Sequence, residues 1–271
     1  MGWWASATRF GRTFGFGAFV LFGSTPAANA DVLHAVYGVS LIGLPIGVAK
    51  VTANVTPTSY SVDATAKISG LATIISNSRG ASTGKGAIVA GRVVPASFAT
   101  IATNANMTRT VRMALSGNAV SGVDIEPPFD DKPDRVPLTD KDKRGVLDPV
   151  GAFILPAHAD GPPISPAACN RTIPVFDGYT RFDVDLTYVG QRRVSAKGYS
   201  GFVAICAARY VPIAGHRRDR PATKFMAENK DIEVWLAPVG ASNVLMPFRL
   251  SLRTMLGVAV AEASEFSVGE N

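Results

Sequence analysis

Three histidines and two cysteines are the scarcest reactive residues in the chain, and their placement decides which chemistries are open to it. His34, His158 and His216 lie far apart, without the H-x-H or H-E-x-x-H spacing that brings two imidazoles onto one metal. Gly80-Ala-Ser-Thr-Gly84-Lys85-Gly86 looks like a phosphate-cradling loop, but three residues separate its first glycines where four are needed. Gly86 also stands where a Ser or Thr must reach the metal, so the segment reads as a hairpin turn or flexible loop. Gly198-Tyr-Ser200-Gly201 lacks the spacing and the strand–turn–helix context that expose a nucleophilic serine. Asp183 and Asp185 share one strand face, where two carboxylates can do acid–base work if burial raises one pKa. Their alternation with Phe182, Val184 and Leu186 turns them toward solvent instead. No catalytic set, cofactor or metal site is expected, and the chain reads as non-enzymatic.

Cys169 and Cys206 are the only pair, and an oxidising compartment favours joining them, the alternative being two buried free thiols. In the chain-entropy picture that bond stabilises the fold by roughly 3–4 kcal/mol. The densest cationic patch is Arg209, His216, Arg217, Arg218 and Arg220, with Lys224 beside it. In an exported protein such a patch suits anionic lipid headgroups or an acidic partner rather than nucleic acid.

Export is expected from the N-terminus. Arg9 and Arg12 precede the short apolar run Phe14–Phe22, and Ala28-Asn29-Ala30 forms a small-x-small site before Asp31. The predicted cleavage lies between Ala30 and Asp31. The apolar run is too short to span a bilayer, which needs about 20 residues. No later segment qualifies, because Gly38, Gly43, Pro45 and Gly47 interrupt the uncharged stretch Ala35–Ala49. The expected location is the periplasm, with no transmembrane span in the mature chain.

Strict apolar–polar alternation recurs, and it predicts strands. It runs through Phe182–Tyr188, Phe248–Leu256, Ile232–Leu236 and Val111–Leu115. Further strands are predicted at Leu33–Leu41, Gly47–Val55, Ser59–Ala66, Gly86–Val93, Phe202–Val211 and Gly257–Phe266. Turns are predicted at Gly43-Leu-Pro45, Thr56-Pro57, Ser116-Gly-Asn118, Val189-Gly190 and Pro238-Val-Gly240. Asp148 before Pro149 marks a two-turn helix whose face would carry Val150, Phe153 and Ile154. Those three residues form a candidate lid over the mouth of a curved sheet. Ala66–Ser78 admits a second helix. Glu126–Gly145, rich in Pro, Asp, Lys and Arg, is predicted to be a charged flexible loop within one domain over 31–271.

With 47% hydrophobic and 18% charged residues in 271, and a net charge of +6, the chain is neither disordered nor a coiled coil. Five segments carry a family resemblance: Tyr37–Gly47, Asp148–Ala152, Val175–Asp183, Val234–Val239 and Met246–Arg249. They resemble domain-of-unknown-function family 3108. The resemblance implies a secreted β-rich protein of Gram-negative envelopes, and more distantly a periplasmic fold that carries lipid or lipoprotein in an open curved sheet. The family has no assigned activity, so it supplies no catalytic residue.

The expected architecture is mainly β: a strongly curved antiparallel sheet or partly open barrel with one or two short helices. The expected function is that of a periplasmic cell-envelope protein binding an apolar or lipid-like ligand in the sheet. The alternative is a scaffolding module with a packed core and no ligand.

Overall fold

Period-two alternation turns successive side chains to opposite faces, and here it builds one 14-stranded antiparallel sheet. The computed structural model describes residues 30–70, 73, 77–157 and 161–270. The predicted signal segment up to Asn29, His158, and Leu71, Ile74 and Ile75 of the predicted second helix lie outside the described residues. The first seven strands are β1 (Asp31–Leu41), β2 (Leu44–Val55), β3 (Ser59–Ile68), β4 (Arg79–Val89), β5 (Arg92–Thr103), β6 (Thr108–Ser116) and β7 (Ala119–Glu126). The second group comprises β8 (Leu155–Pro156), β9 (Arg171–Phe176), β10 (Arg181–Ala196), β11 (Tyr199–Ala214), β12 (Ile232–Val239), β13 (Val244–Thr254) and β14 (Gly257–Glu270). Two α-helices, α1 (Pro166–Cys169) and α2 (Pro221–Glu228), and the 3-10 turns Asp140–Lys143 and Gly151–Phe153 lie between the strands.

Strands β1 to β7 form a meander ending at one edge. β14 pairs with β1, and the order continues through β13, β12, β11 and β10 to β9 at the other edge. The hairpin tips therefore sort to two ends. The β1–β2, β3–β4, β5–β6 and β13–β14 connections lie at one end, called upper here. The β2–β3, β4–β5, β6–β7 and β12–β13 turns lie at the lower end.

The ladder does not close between β7 and β9, and the long connection from β7 fills the gap. Arg144 bridges Ala119 at the lower end of β7, and Leu147 bridges Val175 of β9. Near the upper end, Arg135 bridges Arg217, and Val136 N donates to the His216 carbonyl. The segment 126–145, expected as a charged flexible loop, is thus tied to the sheet at both ends. Most of its residues stay exposed, and some of its charges find partners, as in Asp134–Arg217.

Three other local expectations are corrected. The glycines Gly80, Gly84 and Gly86 lie inside β4, and the turn sits at Ala90–Gly91 with φ of 49° and 69°. Val189–Gly190 does not turn; β10 runs through, with a register shift between Tyr188 and Gly190 that absorbs one residue. The predicted two-turn helix is a single 3-10 turn, Gly151–Phe153, because Ile154 is already extended and leads into β8, which pairs with β13.

Two cores sit on the two faces of the sheet. Inside the curve lie Leu33, Tyr60, Phe98, Met113, Phe248 and Phe266, together with Val146, Val150 and Ile154 of the connection. On the outer face of β9–β13, α1 covers Leu186, Ala204, Cys206 and Leu236. Cys169 of α1 and Cys206 of β11 are joined there, with their Cα atoms 5.4 Å apart.

Candidate functional site

Register places one residue of each strand in rows across the inside of the curve. The row Ala53, Val62, Gly84, Phe98, Met113 is mostly bulky, and Val150 fills the space beside its glycine. The next row toward the upper end reads Val51, Ala64, Ser82, Thr100, Val111. Above that come Ala49, Ala66, Gly80, Ala102 and Arg109. Side-chain volume falls steadily toward the upper end, so the curved sheet cannot fill itself there. The result is a cavity of about 1210 Å³, open at the upper end. Its wall includes Val48, Ile68, Phe98, Val111 and Tyr210, and its base is Pro149.

Below the cavity the connection acts as a floor. Val150 and Ile154 are buried in the inner core, as a docked apolar face requires. Phe153 is 46% exposed. The lid expected of Val150, Phe153 and Ile154 is therefore corrected: two of the three form a floor at the closed end, and Phe153 points out. An α-helical face puts i, i+3 and i+4 together, whereas a chain that leaves the helix after one turn does not hold that register. Gly84 lets the floor approach, since a Cβ there would lie 2.9 Å from Val150 Cγ1. Beneath the floor a second cavity of about 670 Å³ is lined by Leu147, Ile154, Arg171 and Pro174.

Asp148 holds the floor turn. Its Oδ1 accepts hydrogen bonds from the Val150 and Gly151 amides, each 2.9 Å long, as the N-cap reading of Asp148-Pro149 anticipates. The carboxyl is fully buried, and neither its Oδ2 nor the Tyr60 hydroxyl has a hydrogen-bond partner among the described residues. Both atoms lie 2.8 Å from where a Gly151 Cβ would stand. Burial raises the Asp148 carboxyl above the ordinary carboxylate range. Burial, then the Asp148 charge, pushes the Tyr60 phenol up.

The mouth is polar. Lys67, Arg79, Arg109, Arg217 and Arg220 line it, with Asp130 and Asp177 among them. One wall is a stack. The Arg109 guanidinium lies 3.8 Å over the Phe129 ring, Phe129 packs 4.1 Å from Tyr179, and Arg135 lies 3.7 Å over Tyr179. Arg109 also donates to the Pro127 and Pro128 carbonyls, and Arg135 to those of Gly215 and Tyr179. This stack joins β6 to the β9–β10 turn and the end of β11 across the open edge. The turn itself packs on β6 because Gly178, at φ of 96°, leaves 2.6 Å between a hypothetical Cβ and Val111 Cγ1.

The cationic patch expected from the sequence is divided by the fold. His216, Arg217 and Arg220 line the mouth, whereas Arg209 lies along β11 and only its far end nears the Ala227 carbonyl. Burial, then the neighbouring Arg218, lowers the His216 pKa. Asp183 pairs with Arg181, and Asp185 accepts from Thr172, so the two carboxylates form no acid–base pair. Among the described residues no group of three or more His, Cys, Asp or Glu could hold a metal, and no helix is long and apolar enough to cross a membrane. Sequence reasoning missed the small-residue rows. Their signal was present as Gly80-x-Ser82-x-Gly84-x-Gly86, small residues at every second position.

A family model described as "Protein of unknown function (DUF3108)" matches residues 35–264. No curated protein is significantly similar in sequence. Among solved structures, the chain is similar to the crystal structure of a β-barrel-like protein of domain of unknown function DUF1849 from Brucella abortus. Identity is 9%, the match covers 89% of this chain and 98% of the other, and the TM-score is 0.48.

Proposed function

The chain belongs to the DUF3108 family, and from that premise we propose that it is a non-enzymatic binding protein of the cell envelope. Its ligand is apolar or lipid-like and occupies the upper cavity. Its location on this reading is the periplasm, supported by the export signal expected in the first thirty residues and by the Cys169–Cys206 disulfide, which suits an oxidising compartment. One observation carries the reading: an open cavity of about 1210 Å³, apolar in its walls and ringed by cations at its mouth. Ligand pockets typically enclose about 300–1,000 Å³ and are mostly apolar with a few polar groups. An acyl chain fits against Val48, Ile68, Phe98 and Val111 while a polar head meets the mouth.

The test uses native mass spectrometry and an environment-sensitive fatty-acid dye. Protein purified from membranes should carry a lipid-sized adduct, and the dye should bind with saturation. Ala102→Trp, which fills the upper row, should abolish both while leaving the melting temperature in place. Repeated absence of any adduct, with no saturable dye binding, would overturn the reading in favour of a scaffolding module.

A further inference from the structure

We propose that the upper end of the sheet docks on an anionic bilayer surface, with the β1–β2 and β13–β14 hairpin tips entering the headgroup layer. The two tips are neighbours, because β1 pairs with β14 and the Ile42 amide donates to the Val258 carbonyl at 2.8 Å. Together they present Ile42, Leu44 and Met255, each 62% exposed, and Leu256 at 78%. Turns at the surface are ordinarily polar, and large apolar side chains clustered on two adjacent tips mark an interaction site.

The backbone at the first tip strengthens the point. Ile42 has φ of 48°, a left-handed conformation that β-branched residues rarely adopt. Elsewhere in this sheet the lower turns meet the same demand with Ala90 at 49°, Asn118 at 59° and Asn243 at 56°, none of them β-branched. Folding alone therefore favours Asn or Gly at position 42. An exposed isoleucine there adds strain and supports no core, so its apolar surface is the property it contributes.

Charge selects a lipid surface as the occupant. At this end Asp130, Asp134, Asp219 and Asp231 are each engaged by Lys132, Arg217, Lys224 and Arg253. Glu126, Asp131, Asp177 and Glu228 carry the acid at this end that has no ion pair, outnumbered by cations without an acidic partner. Lys67, Arg79, Arg218 and Arg220 have no side-chain partner among the described residues and are exposed. Apolar tips with uncompensated cations set back from them match the layering of a bilayer, in which anionic headgroups overlie an apolar interior. The cavity opens at the same end: Val39 and Gly47 of its wall are each three residues from the Ile42–Leu44 tip. Docked this way, the mouth faces the source or destination of a lipid without crossing bulk water.

Vesicle flotation tests the surface separately from the cavity. The protein, purified as it accumulates in the cell, is mixed with vesicles of phosphatidylcholine alone or with phosphatidylglycerol added. It should float with the mixed vesicles, bind phosphatidylcholine more weakly, and dissociate as salt rises. Ile42→Asn and Leu256→Glu should each weaken flotation about tenfold or more, from the loss of one buried apolar side chain. Both sites are exposed, so circular dichroism should be unchanged. Arg79→Glu with Arg220→Glu should remove the preference for phosphatidylglycerol. Flotation unaffected by the tip variants, or no binding to either vesicle, would overturn the proposal. So would a dimer that Leu256→Glu converts to monomer, since the tips would then face a second copy. Ala102→Trp should still float with vesicles; loss of dye binding in that variant with flotation intact isolates the cavity from the surface.

Discussion

The lower and upper halves of the curved interior have the same strands and the same alternation, yet one is packed and the other is hollow. In the lower half Tyr60, Val62, Phe98 and Met113 meet Val150 and Ile154 of the connection, and the space closes. In the upper half the same strands present Ala64, Ala66, Gly80, Ser82, Thr100 and Ala102, and no segment of the described chain enters. The difference lies in side-chain volume at alternate positions rather than in the backbone. Under the proposed function, stability and binding fall to different stretches of the same strands. Packed apolar groups supply the burial that holds the sheet curved, and small ones leave room without leaving polar atoms stranded. It follows that substitutions should sort by height along a strand.

The sharpest contrast is within the floor. Ile154→Ala should lower unfolding free energy by about 2–5 kcal/mol, read by chemical denaturation. Phe153→Ala, one residue earlier, should stay within about 0.5 kcal/mol. Similar losses at the two positions would break the distinction between floor and surface.

Next in size is Gly84→Ala. Its new methyl would meet Val150 Cγ1 at 2.9 Å and Asp148 Oδ1 at 3.3 Å. Overpacking of this kind costs about 1–3 kcal/mol. The same change at Gly80 meets only one backbone oxygen at 3.3 Å and should cost less, which tests the gradient along a single strand.

The third effect depends on pH. The buried Asp148 carboxyl has a folded-state pKa above its unfolded value. Folding is therefore favoured by the protonated form. The contribution is fully present below the ordinary carboxylate range and is lost as pH rises through the raised folded value. Asp148→Asn keeps an acceptor for the Val150 and Gly151 amides and removes the charge. Its stability should be flatter over that rise than the parent's, and an unchanged profile would show that Asp148 is not the group responsible.

Smallest of all should be the stability effect of Ala102→Trp in the hollow half, within about 0.5 kcal/mol. A loss as large as that of Ile154→Ala would show that the upper interior is packed in solution and would erase the contrast.

Local patterning made much of the fold legible. The strands at Leu33–Leu41, Ser59–Ala66 and Gly257–Phe266 fall within β1, β3 and β14, because alternation is a property of neighbouring residues. The Asp148-Pro149 signal located a real turn with a real cap. What local reading could not supply was its length and docking side. Those depend on Leu155 and Pro156 pairing with β13, some ninety residues away in sequence. Gly80–Gly86 lies inside a strand for a related reason: glycine is a turn residue by propensity, but Gly84 here makes room for Val150 of a segment arriving from elsewhere.

Composition and alternation determined by themselves that this chain would be an antiparallel β protein, since both are written in adjacent residues or in simple counting, whereas the joining of Cys169 to Cys206 needed the fold to bring them together. Only the tertiary structure decided that the charged connection would span the gap between β7 and β9, and that Val150 and Ile154 would become a floor. It also decided that Ile42 and Leu256 would stand together beside an open mouth. Those outcomes turn on which distant segments meet, and contact between distant segments is set by packing and register across the whole sheet.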